Sequence, residues 1–106
     1  LAMSFPDGLD VEVINLETLL KSQKNSKNKF NKEHVTPFIR KSKLFNKQNF
    51  KNDISFANRR WTLDYLKDYF FLKRVVEHFS PNIYFNWKDL IKAEKYNKLL
   101  INIQKR

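Results

Sequence analysis

Arg59-Arg60-Trp61-Thr62-Leu63-Asp64-Tyr65-Leu66-Lys67-Asp68 is a short β-favouring run that ends on an aspartate and passes at once into a helical pattern. The junction predicts a strand over Arg60–Leu63, Asp64 at its carboxyl end, and a helix from Tyr65 onward. In open α/β sheets, ligands gather outside the carboxyl ends of the strands. A helix N-terminus also favours negative charge. Asp64 can therefore stay ionised at neutral pH, as a metal-holding carboxylate must. Aspartate is equally a preferred N-cap residue, and caps outnumber metal ligands. On the junction alone, capping is the expected role.

Downstream, Tyr65, Tyr69, Leu72, Val76 and Phe79 recur at four-and-three spacing, with Leu66 and Val75 widening the apolar face,. Ser80-Pro81-Asn82 breaks that pattern. Asn86 then caps a helix from Trp87 through Leu90 and Ile91 toward Ile101, with Asp89 in its first turn,. Upstream, Asp10-Val11-Glu12-Val13-Ile14 alternates polar and apolar and reads as a strand with one buried face,. Asn15 can cap a helix through Leu16, Leu19 and Leu20. A further helix is expected from Glu33 to about Lys41; Pro37 fits only near its first turn, which makes Thr36 an alternative cap. Phe45–Phe50 is read as another strand. The alternation predicts an α/β fold, with the aromatic stripes in its core.

The 106 residues allow at most one domain with a modest core,. Hydrophobic residues make up 42%, with ten phenylalanines but a single glycine, so there is enough apolar material for a core,. Absence of cysteine excludes disulfides and thiolate metal sites,. No run of eighteen apolar residues occurs, and no basic segment leads into an apolar one at the start,. A cytoplasmic protein with no membrane partner is expected. The formal charge is +10. Lys21, Lys24, Lys27, Lys29 and Lys32 lie in one Ser/Asn-rich stretch, and Lys41, Lys43, Lys47 and Lys51 in another. Without arginine density or glycine, both are expected to be solvated loop surface, and a nucleic-acid partner is disfavoured. There is no phosphate-cradling glycine loop, no histidine pair at metal spacing and no serine in a nucleophile elbow. Asp7, Asp10, Glu12, Glu33, His34, Arg60 and Asp64 remain as polar residues at element ends.

Three blocks follow in order: Pro6-Asp7-Gly8-Leu9-Asp10-Val11-Glu12-Val13, Glu33-His34-Val35-Thr36-Pro37-Phe38-Ile39, and Arg60-Trp61-Thr62-Leu63-Asp64 with Asp68. Together they resemble consecutive motifs of the cytidylyltransferase-like proteins of spore-coat polysaccharide biosynthesis, relatives of acylneuraminate and 3-deoxy-manno-octulosonate cytidylyltransferases. The resemblance implies a three-layer α/β sandwich of the nucleotide-diphospho-sugar transferase type. It implies an Mg2+-dependent transfer of a nucleotide monophosphate to a sugar, with release of pyrophosphate. By resemblance Asp64 matches the magnesium-holding carboxylate, although Tyr65 replaces the usual small residue. Glu33 and His34 match sugar-contacting residues presented from a helix start. Asp10 and Glu12 lie on the acceptor-sugar strand, and Arg60 is carried with them as substrate-binding. The family's N-terminal half, with its Arg/Ser/Lys nucleotide loop and second metal-binding aspartate, has no counterpart here. The chain is thus expected to form one unit, residues 1–106, from the C-terminal part of such a domain. Its partners would be a sugar acceptor and a nucleoside triphosphate, with homo-oligomerisation open. Alone, it is expected to turn over no nucleotide. Two other classes stay open, a basic nucleic-acid-binding module and a non-catalytic assembly or regulatory domain.

Overall fold

Backbone pairing around residues 58–62 organises one of two compact units in a computed structural model, which describes residues 2–104. This unit comprises Met3–Asp10 and residues 52–104; the other is built on Val11–Lys51. In the first, Asp7 and Arg60 form a parallel bridge, with Asp7 N–H donating to Arg59 C=O (2.9 Å) and Trp61 N–H to Asp7 C=O (2.7 Å). On the opposite side Arg59 and Ile103 form an antiparallel bridge, closed by Arg60 N–H to Asn102 C=O (2.8 Å) and Gln104 N–H to Asn58 C=O (2.7 Å). Each pairing stops after one bridge, so no sheet forms among the described residues.

That finding overturns the expected α/β architecture. Helices dominate, and the predicted strands at Asp10–Ile14, Phe45–Phe50 and Arg60–Leu63 are not strands; the chain is not a three-layer α/β sandwich, nor the C-terminal half of one. The reason is visible in Val11 and Val13, which are 84% and 96% exposed. Alternation specifies a strand only where a neighbour supplies the ladder and a core covers the apolar face. Nothing does either for Asp10–Ile14. Arg59 and Arg60 reach a bridge, whereas Leu63 stays exposed.

The helices α4 (Leu66–Phe79) and α5 (Trp87–Glu94) carry the core of this unit. Phe71 and Val75 from α4, Leu90 from α5 and Leu100 from a 3-10 turn at Lys98–Leu100 are buried together. Trp61, Leu72, Phe79, Phe85 and Ala93 pack against them. Removing a side chain such as Phe71 from water is worth about 2–3 kcal/mol. The expected stripe on α4 is partly displaced around the helix: Leu66, Tyr69 and Val76 are exposed, whereas Leu72, Val75 and Phe79 lie in or against the core. Val75 is buried as expected; the missed inward positions are Asp68 and Phe71. α5 starts where expected, with Asn86 Oδ1 accepting from Asp89 N–H (3.1 Å) and Asp89 Oδ2 from Asn86 N–H (2.9 Å), a reciprocal cap,. It ends at Glu94 rather than near Ile101.

Arg59 ties the paired segment to α5. Its Nε lies 2.9 and 3.0 Å from the two carboxylate oxygens of Glu94, and Nη2 lies 2.9 Å from Oε2. Glu94 is only 5% exposed on its side chain, so a bidentate arginine is what makes its charge tolerable there.

The Val11–Lys51 unit is a set of short helices, α1 (Leu16–Asn25), α2 (Lys29–His34) and α3 (Pro37–Lys41). Asn15 caps α1 through a bond from Thr18 N–H (2.7 Å), as expected, and Asn28 caps α2 through Asn31 N–H (2.8 Å). The single helix expected over Glu33–Lys41 is instead two, because Pro37 has no N–H to donate and its ring clashes with a helical carbonyl four residues back. Pro37 occupies the first turn of α3, and Thr36 precedes it without a side-chain cap. Lys47 Nζ bonds the Ile39, Arg40 and Ser42 carbonyls at the other end of α3. Ile39 is the buried apolar residue here, with Ser22 and Ser26 buried on and beside α1. No helix among the described residues is long and apolar enough to cross a membrane.

Gly8 decides how closely the first pairing can form. It sits at φ +106° in the turn closed by Leu9 N–H to Pro6 C=O (3.1 Å),. A Cβ there would lie 2.6 Å from the Trp61 carbonyl oxygen. Gly8→Ala is therefore expected to destabilise the protein by about 1–3 kcal/mol through backbone strain, and more if Trp61 cannot move aside; the urea midpoint measures it. Glu94→Ala, which strands Arg59, is expected to cost about 3 kcal/mol in the same titration.

Candidate functional site

Arg60 stands between the two bridges, so its backbone is held on both sides, with its carbonyl also accepting from Asn102 Nδ2 (2.8 Å). The guanidinium then meets three carboxylates. Nη2 is 3.0 Å from Asp64 Oδ2 and 3.0 Å from Asp68 Oδ2; Nε is 3.3 Å from Asp68 Oδ1; Nη1 is 3.9 Å from Asp7 Oδ2. Asp7 also accepts from Gln104 Nε2 at 3.4 Å. The Tyr65 ring lies 5.5 Å from the guanidinium carbon, within cation–π range,. Arg60, expected to bind substrate, directs its cation at these acids.

Asp68, not Asp64, secures the start of α4. Tyr65 is the N-cap, and Asp68 occupies the third helical position, where its Oδ2 accepts from the N–H groups of Asp64 and Tyr65, both at 3.0 Å. These are donors that a helix start otherwise leaves unpaired. Asp68 has no exposed surface. The Arg60 hydrogen bond first, and the Asp64 N–H next, hold its carboxyl well below the usual carboxylate range. The same bond to Asp68 raises the pKa of Arg60 further.

Asp64 has the opposite character. Its side chain is 62% exposed and pairs through Oδ2 with Arg60; Oδ1 accepts no hydrogen bond from a described residue. No group of three or more His, Asp or Glu side chains is arranged to hold a metal among the described residues. Magnesium does not need such a cage, because it is commonly bound through one or two carboxylates, with waters and substrate phosphates completing the octahedron. The donor set here fits that mode through Asp64 alone, since both oxygens of Asp68 are already engaged. With three acids around one arginine, the local balance also favours a cation.

The other expected site residues fall in different settings. Asp10 accepts from Gly8 N–H (3.3 Å) and supports the turn. Glu12 pairs with Arg40 within the Val11–Lys51 unit. Glu33 and His34 lie in the last turn of α2, not at a helix start, and the His34 ring sits 4.5 Å from Phe30. Just after them comes an unusual backbone. Val35 has φ 64° and ψ −54°, and Thr36 N–H donates to His34 C=O (2.7 Å), closing a γ-turn with a positive central φ,. A β-branched residue in that conformation is an outlier, and such strain concentrates at ligand-holding segments. Sequence patterns gave no warning of it. Asp68 could have been found: it follows Arg60 by eight residues and opens an apolar helix, but Tyr65 in place of Ser or Thr hid the capping box.

No protein-family model matches the chain, and no solved structure does. Over 76 residues, 69% of this chain, it is 33% identical to an uncharacterized protein of Methanocaldococcus jannaschii. The matched stretch makes up 31% of that relative's length.

The depressed Asp68 carboxyl makes stability pH-dependent with a definite sign. Its contribution is complete above the unfolded aspartate value of about 3.9 and is lost as pH falls through the lower folded value. Thermal melts of the wild type should therefore fall on acidification below about pH 4. Asp68→Asn should lower the melting temperature at pH 7 and flatten that acid dependence, whereas Asp64→Asn should change neither by more than a small fraction of the Asp68 effect. Equal acid profiles for Asp68→Asn and the wild type would remove the linkage from Asp68.

Proposed function

We propose that the chain is the sugar-side and metal-holding part of a nucleotidyltransferase that makes an activated nucleotide sugar for surface polysaccharide biosynthesis, a cytidylyltransferase by its motifs. The observation that carries this reading is the pairing of the first and third motif blocks: Asp7 and Arg60, fifty-three positions apart in sequence, are bridged through their backbones, and Asp7, Asp64 and Asp68 surround one guanidinium. The strained Val35 in the second block adds support from an independent feature.

In such a reaction a sugar oxygen attacks an α-phosphate, and charge builds on the phosphate oxygens. Magnesium, when bound, would offset that charge and orient the phosphates. Asp64 would supply its carboxylate through Oδ1 while Arg60 keeps Oδ2 in place. Asp68 would act one step back, fixing Arg60 and the start of α4 so that the Asp64 backbone does not drift. Glu33 and His34 have the chemistry for sugar hydroxyls, the carboxylate accepting and the imidazole donating or accepting. Orientation of this kind supplies much of the rate in phosphoryl and nucleotidyl transfer.

Two measurements test the proposal on the chain itself. Mn2+ used as a magnesium substitute should broaden the NMR signals of residues 63–65, and Asp64→Asn should abolish that broadening with the melting temperature unchanged. Acid and amino sugars should give saturation-transfer signals that Glu33→Gln or His34→Ala weakens at least about tenfold, the cost of one lost charged hydrogen bond. Absence of both Asp64-dependent metal binding and sugar binding would overturn the assignment.

A further inference from the structure

We propose that the Val11–Lys51 unit is a docking surface for the phosphate backbone of single-stranded nucleic acid, a role independent of the sugar chemistry assigned above. The inference starts from how the charge divides. Val11–Lys51 carries nine lysines and Arg40 against Glu12, Glu17 and Glu33, a net of +7. Met3–Asp10 with residues 52–104 carries nine basic and eight acidic residues, a net of +1. Seven of the protein's ten excess positive charges therefore reside in the unit with the smaller core.

Four of these lysines, Lys27, Lys43, Lys47 and Lys51, lie outside helices, as their Ser/Asn-rich context suggested, and five lie on helices. Lys21 and Lys24 belong to α1, Lys29 and Lys32 to α2, and Lys41 to α3. All nine are exposed. Two have partners inside the unit: Lys47 at the carbonyl end of α3, and Lys21 5.9 Å from the Phe45 ring centroid. None of the other seven forms an ion pair with a described residue; the acid–base pair within the unit is Arg40 and Glu12. Like charges three apart on a helix, as at Lys21 and Lys24 or Lys29 and Lys32, oppose its formation. An anionic partner that meets several of them at once would offset that repulsion.

The arrangement favours a single strand over a duplex. No helix of the unit exceeds ten residues, and α1 shows the exposed apolar Leu16 and Leu20 beside its lysines, so no helix offers a uniformly polar face for a major groove. Phe30, more than half exposed, stands between Lys29 and Lys32 in sequence, with its ring against His34. An aromatic among ammonium groups gives a base a stacking surface while the phosphates are neutralised. Lysines act as point charges without the fork that reads a base edge, and Arg40 is held by Glu12, so contact should be independent of sequence,.

The test is fluorescence anisotropy of a labelled oligothymidylate of about twenty nucleotides with the whole chain, from low to moderate salt. The logarithm of the association constant should fall linearly with the logarithm of salt, with a slope of about −3 to −4, corresponding to four to six phosphates at roughly −0.7 each. Replacing Lys24, Lys27, Lys29 and Lys32 together by glutamine should make that slope shallower by about 2–3 and weaken binding at low salt at least tenfold. Glutamine keeps the helix propensity of lysine, and circular dichroism should confirm an unchanged fold; a Lys27→Gln single variant, outside any helix, should already shift the slope by about 0.7. A control with the same change in net charge, glutamine at Lys88, Lys92, Lys95 and Lys98, should leave the slope as in the wild type. Phe30→Ala should weaken binding without altering the slope. Equal losses in the two quadruple variants would reduce the effect to bulk charge and overturn the proposal. So would no binding at low salt, or capture of the chain by phosphatidylserine vesicles without any affinity for the oligonucleotide.

Discussion

One guanidinium holds three carboxylates from two distant parts of the chain, and the larger unit is arranged around that fact. Arg60 can be where it is because its backbone is bonded on both sides, toward Asp7 and toward Asn102. Asp68 can be fully buried because Arg60 and two backbone N–H groups satisfy its oxygens. Neither charge would be tolerable alone, since an unpaired buried ion is among the most unfavourable things a small core can contain. Arg59 and Glu94 repeat the same solution one residue away, on the side facing α5. Two adjacent arginines thus project to different helices, and the short pairing of residues 58–62 with both flanking segments gains from side chains what it lacks in ladder length.

What the sequence made legible was local. Asn15, Asn86 and the Ser80-Pro81-Asn82 break were placed correctly because a cap or a breaker acts within one turn,. Strands were not legible, because a strand is a relation between segments far apart, and Val11 and Val13 alternate without anything to pair with. The helix face of α4 was partly displaced for a related reason. Tyr69 and Val76 look like core by composition, yet the geometry of Arg60 requires Asp68 to face inward, and that choice carries Phe71, Leu72 and Val75 with it. The buried ion pair and an apolar stripe of Phe71, Leu72, Val75 and Phe79 thus share one face of the helix.

The candidate site shows the same division. The sequence singled out the right junction but gave Asp64 the capping role that Asp68 performs. Freed from capping, Asp64 keeps a carboxylate largely in water, paired on one oxygen only. Glu33 and His34 were identified by residue type, but the γ-turn that follows them depends on Pro37 interrupting the helix, and on backbone angles that no side-chain pattern encodes.

Arg60 beside Asp64 appears at first to argue against a cation there, since a guanidinium 3.0 Å from a carboxylate competes with any metal for its charge. The balance of the cluster decides otherwise. Asp68 already neutralises Arg60 through two contacts, and Asp7 adds a further negative charge at 3.9 Å. Asp64 is therefore one of three acids around a single guanidinium, and Arg60 engages one of its two carboxylate oxygens. An aspartate held through one oxygen costs a ligand less side-chain ordering than one with no partner,. The buried pair beneath it, which contributes the constraint, is what separates a candidate ligand-binding carboxylate from an ordinary residue ahead of a helix.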